Sequence, residues 1–163
     1  MQVLKWSLLG AVALALLVLL AAQLGAFGGS LPNNLGVRDG RLKPPSKNPN
    51  SVSSQASLWA QHPMQDDARI DPLALQGSGA QTIAQIKRIV EAMPGAKVVE
   101  ARDDYLYVQF TTRWMKFVDD AEFWFDPSAG LVQLRSASRL GRKDFGVNRA
   151  RIEAIRKALA GGG

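Results

Sequence analysis

The sequence predicts an α+β domain behind one N-terminal apolar helix, with two amphipathic helices and a four-stranded antiparallel meander, both helices on one sheet face. Three observations carry this prediction. Between Ser7 and Phe27 no side chain is charged, and only Ser7 and Gln23 are polar. Residues 83–93 and 152–159 repeat apolar positions at three- and four-residue steps, the period of a helix with one buried stripe. The stretch between them alternates apolar and polar positions and is broken by turn residues, as in an antiparallel sheet with one covered face.

The chain divides into residues 1–29 as a signal-anchor or transmembrane segment, 30–75 as an extended, loop-rich strip packed on the domain, and 76–163 as the α+β domain. The segment 7–27 is long enough for a bilayer core of about 30 Å at about 1.5 Å per residue. It lacks the polar face of a soluble helix. Lys5 before it argues for a cytoplasmic N-terminus, and long domains translocate largely regardless of their charge. The expected arrangement is therefore a single pass through the membrane with the soluble domain exported, which in a bacterium means the inner membrane and the periplasm. The alternative is secretion to the periplasm after cleavage near Ala26-Phe27-Gly28.

In the strip, Pro32-Asn33-Asn34, Asp39-Gly40, Pro44-Pro45 and Asn48-Pro49-Asn50 are breakers. Leu35, Val37, Leu42, Val52, Leu58 and Trp59 are spaced as though it packs on something. Ser78 with Gln81 forms a capping box that opens the first domain helix. Ile83, Ile86, Val90 and Met93 are its stripe, and Pro94-Gly95 stops it.

Val98-Val99 opens the first strand. Leu106, Val108 and Phe110 alternate with Tyr105, Tyr107 and Gln109 in the second. The third has Phe117, Ala121, Phe123 and Phe125 on one face and Asp120, Glu122 and Trp124 on the other. After the turn at 126–130, the fourth has Val132 and Leu134 inward, with Gln133, Arg135 and Arg139 opposite. Matching these faces sets Phe125 beside Val132, Phe123 beside Leu134 and Glu122 beside Arg135. A one-residue slip would bury that charge pair, so the register is specified. The last helix starts between Asp144 and Asn148, with Ile152, Ile155 and Leu159 inward. Tyr105, Tyr107 and Trp124 share the second sheet face and are expected beneath the strip.

Strand direction brings Asp119, Asp120, Ser136, Ser138 and Arg139 to one edge of the sheet, beside the start of the last helix with Asn148 and Arg149. Buried polar groups need partners, so the edge is either a structural network or a polar pocket. In a pocket, Arg139, Arg142, Lys143 and Arg149 would draw an anion toward the helix N-terminus. Residues 135–157 carry a net +6, equal to that of the whole chain. The expected role is a non-catalytic module binding an anionic small molecule, lipid headgroup or protein partner here. The alternative is a hydrolase with Asp119 or Asp120 as general base and Arg139 stabilising an oxyanion.

Other chemistry lacks its residues. No cysteine is present, which removes disulfides, thiolate metal sites and cysteine nucleophiles. One histidine, His62, makes no zinc site. Ser51, Ser53 and Ser54 lack a nucleophile elbow, and Gly77-Ser78-Gly79 lacks the lysine and spacing of a phosphate loop. No cofactor is implied. Nucleic acid does not fit either, because the aromatics sit on the sheet and not among the arginines.

Three stretches together resemble family 1499 of the domains of unknown function (DUF 1499). They are Pro32-Asn33-Asn34-Leu35-Gly36-Val37 through Asn48-Pro49-Asn50-Ser51-Val52-Ser53-Ser54-Gln55, then Phe117-Val118-Asp119-Asp120-Ala121-Glu122-Phe123, and lastly Arg135-Ser136-Ala137-Ser138-Arg139-Leu140-Gly141 with Asp144-Phe145-Gly146-Val147-Asn148-Arg149-Ala150-Arg151-Ile152. The resemblance covers about residues 32–158. It implies a bacterial or photosynthetic-eukaryote protein, often behind a signal or membrane segment, and brings no activity with it. Asp119, Asp120, Ser136, Ser138, Arg139 and Asn148 match its pattern. Where Ser51 stands the pattern has a cysteine, often with another near Pro45, and this chain has neither.

Overall fold

The apolar N-terminal stretch forms α1 (Gln2–Gln23), 22 residues long and, by length and composition, able to cross a membrane. It starts before and ends before the 7–27 span expected for it. Gly25, at φ +88°, takes the chain out of the helix, and Phe27 turns back onto Phe117 with ring centroids 5.7 Å apart. A computed structural model describes residues 1–162. After α1 come β1 (Ser51–Ser53), a 3-10 turn at Ala56–Leu58, β2 (Leu73–Ala74), α2 (Gly79–Glu91), β3 (Ala96–Ala101), β4 (Tyr105–Thr111), β5 (Val118–Asp126), β6 (Leu131–Ser138) and α3 (Val147–Ala160).

The strands form one six-stranded antiparallel sheet in the order β1-β6-β5-β4-β3, with β2 also on β6. The β3–β6 meander has the expected register: Phe125 opposite Val132, Phe123 opposite Leu134 and Glu122 opposite Arg135. The sheet gains two strands over the expected four. An uncovered β6 would expose a row of unpaired backbone groups, and the strip pairs with it twice, through Ser51–Ser53 against Arg135–Ala137 and Leu73–Ala74 against Leu131–Val132. Strands of two and three residues leave no alternation to read.

Both domain helices lie on one face. Ser78 and Gln81 make the reciprocal capping box of α2. Ile83, Ile86 and Val90 then pack with Ile152, Ile155 and Leu159 of α3 over Leu106, Val108, Phe123, Val132 and Leu134. Full burial of each such aliphatic side chain contributes about 1.5–3 kcal/mol relative to exposure. The turn from α2 into β3 requires glycine. Gly95 has φ +74°, and a Cβ there would lie 2.2 Å from the Thr111 carbonyl oxygen.

The opposite face is covered by the strip. Leu42 is buried against Tyr105 and Tyr107, with Leu35, Val37 and Trp124 alongside. Gln55 ties the strip down, its Oε1 accepting from the Leu42 amide and its Nε2 donating to the Gly40 carbonyl. Two expectations change as a result. Glu122 and Arg135, read as a pair kept out of the core by the register, are themselves buried, 0% and 5% exposed. Phe117, read as a core residue by parity, precedes β5 and packs on Phe27 instead.

Candidate functional site

Six of the seven residues expected at one polar edge fall into two separate networks, because adjacent residues of a strand point to opposite faces. In β5, Asp119 lies opposite Ser138 and Asp120 opposite Ala137. Asp119, Ser136, Ser138 and Asn148 face α3. Asp120 and Arg139 face the strip.

The α3-side network is closed. Arg151 donates from Nη2 to Asp119 Oδ2 at 2.6 Å and from Nη1 to Asn148 Oδ1 at 2.8 Å. The Ser136 hydroxyl donates to the same Asn148 oxygen at 2.5 Å. Asn148 Nδ2 donates to Ser138 Oγ, Asp144 Oδ2 and the Asn50 carbonyl. The Arg151 guanidinium also lies 4.3 Å from the Phe110 ring centroid. Ser136 and Asn148 are fully buried.

The N-terminus of α3, expected to receive an anion, holds the chain's own carboxylate. Asp144 accepts from the Gly146 and Asn148 amides. Burial alone would raise the Asp144 pKa. The backbone bonds from Asn148 and Gly146 and the Asn148 side chain outweigh it and hold the pKa below the ordinary carboxylate value. Arg149 donates to the Asp67 carbonyl. A recess of about 250 Å³ here has Lys143 and Arg149 facing Asp67 and Asp144, two cations against two carboxylates.

The strip-side network borders a larger space. Arg139 grips Asp120 in a fork, Nε to Oδ2 and Nη2 to Oδ1, both 2.8 Å. This bond to Asp120 raises the Arg139 pKa further. The Tyr107 hydroxyl donates to Asp120 Oδ1 at 2.5 Å and accepts from Gln109 Nε2. Beside them is a solvent-open recess of about 680 Å³, within the range of small-molecule sites. Its walls carry Lys43, Lys47, Arg135 and Arg139 against one carboxylate, Asp120, and include His62. Since Asp120 is already forked by Arg139, Lys43, Lys47 and Arg135 set the sign of the recess. The His62 Nδ1 accepts from the Met64 amide.

Arg135 is the deepest of these cations. Its Nε donates to the Pro44 carbonyl at 2.9 Å. Among the described residues, no carboxylate lies within ion-pair distance of its guanidinium. Burial lowers its pKa, while Glu122 and Asp120 pull the other way. Its cross-strand neighbour Glu122 is engaged elsewhere. Glu122 Oε1 accepts from the Gly36 amide and the Tyr105 hydroxyl, and Oε2 is buried without a partner. Burial raises the Glu122 pKa against those bonds and Arg135.

Lys43, Lys47 and Arg135 were not among the expected site residues. Parity already placed Arg135 and Arg139 on the strip's side of the sheet with Asp120. What was not readable is the path of the strip, which brings Lys43 and Lys47 into the same recess as those two arginines. As for the hydrolase alternative, both oxygens of Asp120 are engaged, and Asp119 faces away from the recess.

No curated protein and no solved structure matches this chain. A family model described as "Protein of unknown function (DUF1499)" matches residues 41–159, which include every strand, all of α2, α3 up to Leu159 and the recess walls from Lys43 to Arg139. The chain therefore belongs to the DUF1499 family.

Proposed function

We propose that this chain is a membrane-tethered, non-catalytic module of the bacterial envelope that binds an anion in the recess between the strip and the sheet. The anchor is α1, and the soluble domain is placed in the periplasm because Lys5 precedes the apolar span. One observation carries the binding reading. Arg135 is a 5%-exposed arginine on the wall of an open recess that Lys43 and Lys47 also line, with no carboxylate directly on it. A desolvated cation is costly unless paired, and an anionic group entering the recess supplies the pair. Arg139 and Asp120 form a fixed, already neutralised wall that orients the incoming group. Binding is favoured over hydrolysis because neither Asp119 nor Asp120 is free to take a proton from a nucleophile in the recess.

Thermal unfolding of the full chain in a neutral detergent, titrated with inorganic phosphate, tests this. Phosphate is expected to raise the midpoint of the wild type, and the double variant Lys43→Ala/Lys47→Ala to lose most of that rise. An equal rise in both proteins removes the recess as the anion site.

A further inference from the structure

The recess opens where the chain leaves α1. Ser30, Leu31 and Pro32 form part of its wall, only seven to nine residues after Gln23. The end of α1 is also docked on the domain. The Gln23 side-chain amide donates to the Trp114 carbonyl at 2.9 Å, and Phe27 packs on Phe117. Gly29 is seated so tightly on the stem of Arg139 that a Cβ there would come within 2.7 Å of the Arg139 Cβ. Arg139, which forms one wall of the recess, is thus in contact with the segment that emerges from the membrane helix.

With α1 spanning a bilayer, Gln23 lies at one interface, and the side chains gathered around it lie at headgroup depth. They are suited to that depth. Trp114, Leu24 and Leu31 are 64%, 80% and 63% exposed, and Leu140 and Phe117 are partly exposed beside them. Arg113 lies over the Trp114 ring at 5.0 Å. Amphipathic aromatics and cations at a membrane–water boundary sit among headgroups, and exposed apolar side chains there face acyl chains. In water the same cluster would be an apolar patch with nothing to cover it.

Resting on the anion-binding reading above, we infer that the recess takes the anionic headgroup of a membrane phospholipid from the leaflet where α1 ends. Lys43, Lys47 and Arg135 meet the phosphodiester, and the acyl chains stay against Leu24, Leu31 and Trp114. Short-range attraction between basic side chains and anionic lipid brings the headgroup to the mouth, and burial of Arg135 selects for a charge that enters.

The test uses the full chain in neutral detergent and three probes: dihexanoyl phosphatidylglycerol, dihexanoyl phosphatidylcholine and soluble glycerol phosphate. Dissociation constants are read from intrinsic tryptophan fluorescence. Phosphatidylglycerol is expected to bind at least about tenfold more tightly than glycerol phosphate, the effect of burying about two methylene groups. The zwitterionic lipid should bind more weakly than phosphatidylglycerol. Lys43→Ala/Lys47→Ala should weaken phosphatidylglycerol by about 10- to 30-fold. Exposed Trp114→Ser should abolish the lipid's advantage and leave glycerol phosphate unchanged. If glycerol phosphate binds as tightly as the lipid, the recess serves a soluble anion and the lipid inference is wrong, while anion binding stands. Failure of all three probes to bind overturns both. Equal phosphatidylglycerol affinity in the lysine double variant and the wild type overturns the lipid inference, since attraction then lies outside the recess.

Discussion

Asp119 and Asp120 are neighbours in one strand, and each is paired with an arginine, yet they belong to different kinds of site. On the α3 face, Asp119 and Arg151 join Asn148 and Ser136 in a network enclosed by helix and sheet. On the strip face, Asp120 and Arg139 form a pair at 2.8 Å, against 2.6 Å for Asp119 and Arg151, that borders a recess with three further cations. An ion pair by itself therefore says little about role. What separates the two is the covering element. The helix packs on its pair through an apolar stripe, whereas the proline- and glycine-broken strip, fixed at a few points, leaves a recess beside a pair that is just as buried.

The sharpest way to break this comparison is to remove one carboxylate at a time. Asp119→Ala strands Arg151 inside a closed site and is expected to cost about 3–5 kcal/mol. Chemical denaturation should show the loss, with added phosphate raising this variant by no more than it raises the wild type. Asp120→Asn removes the charge beside Arg139 and is expected to cost about 1–3 kcal/mol, because water and anions reach that guanidinium through the recess. Phosphate should restore part of this loss. If phosphate also narrows the gap between the Asp119 variant and the wild type, the distinction between the two sites fails.

A smaller effect is expected at the start of α3. Asp144→Ala removes the acceptor for two amides and for the Asn148 side chain, costing about 1 kcal/mol. The Asp144 pKa is held low in the folded state, so its contribution is present above the unfolded carboxylate pKa and is lost as pH falls through the folded one. The difference between wild type and variant should accordingly shrink in acid.

Glu122 has the opposite sign. Burial raises its folded pKa, so the folded chain holds this proton more tightly than the unfolded one does. Its contribution is fully present below the unfolded carboxylate pKa and is lost as pH rises through the raised one. Glu122→Gln keeps an acceptor oxygen for Gly36 and Tyr105, and it should flatten the stability profile over that window. Urea midpoints from mild acid to neutrality check this, and an unchanged slope would show that Glu122 does not titrate there.

The apolar span, the capping box at Ser78 and Gln81, the two helix stripes and the β5–β6 register were all legible in the sequence. Each depends on composition, on periodicity or on a cap only four residues long, and such local patterns carry their own geometry. Even the split between Asp119 and Asp120 was implicit, since adjacent strand residues face opposite ways. The strip is different. Its β1 and β2 are too short to show alternation, and their pairing with β6 joins residues about 60 to 85 positions apart. Only the tertiary structure decided that this segment covers the second face, buries Glu122 and Arg135, and brings Lys43 and Lys47 into the recess that Arg139 lines. The physical reason is that a breaker-rich chain has no repeating pattern to direct it. Its course is set by what it covers, here the open edge of β6 and the aromatic face of Tyr105 and Tyr107.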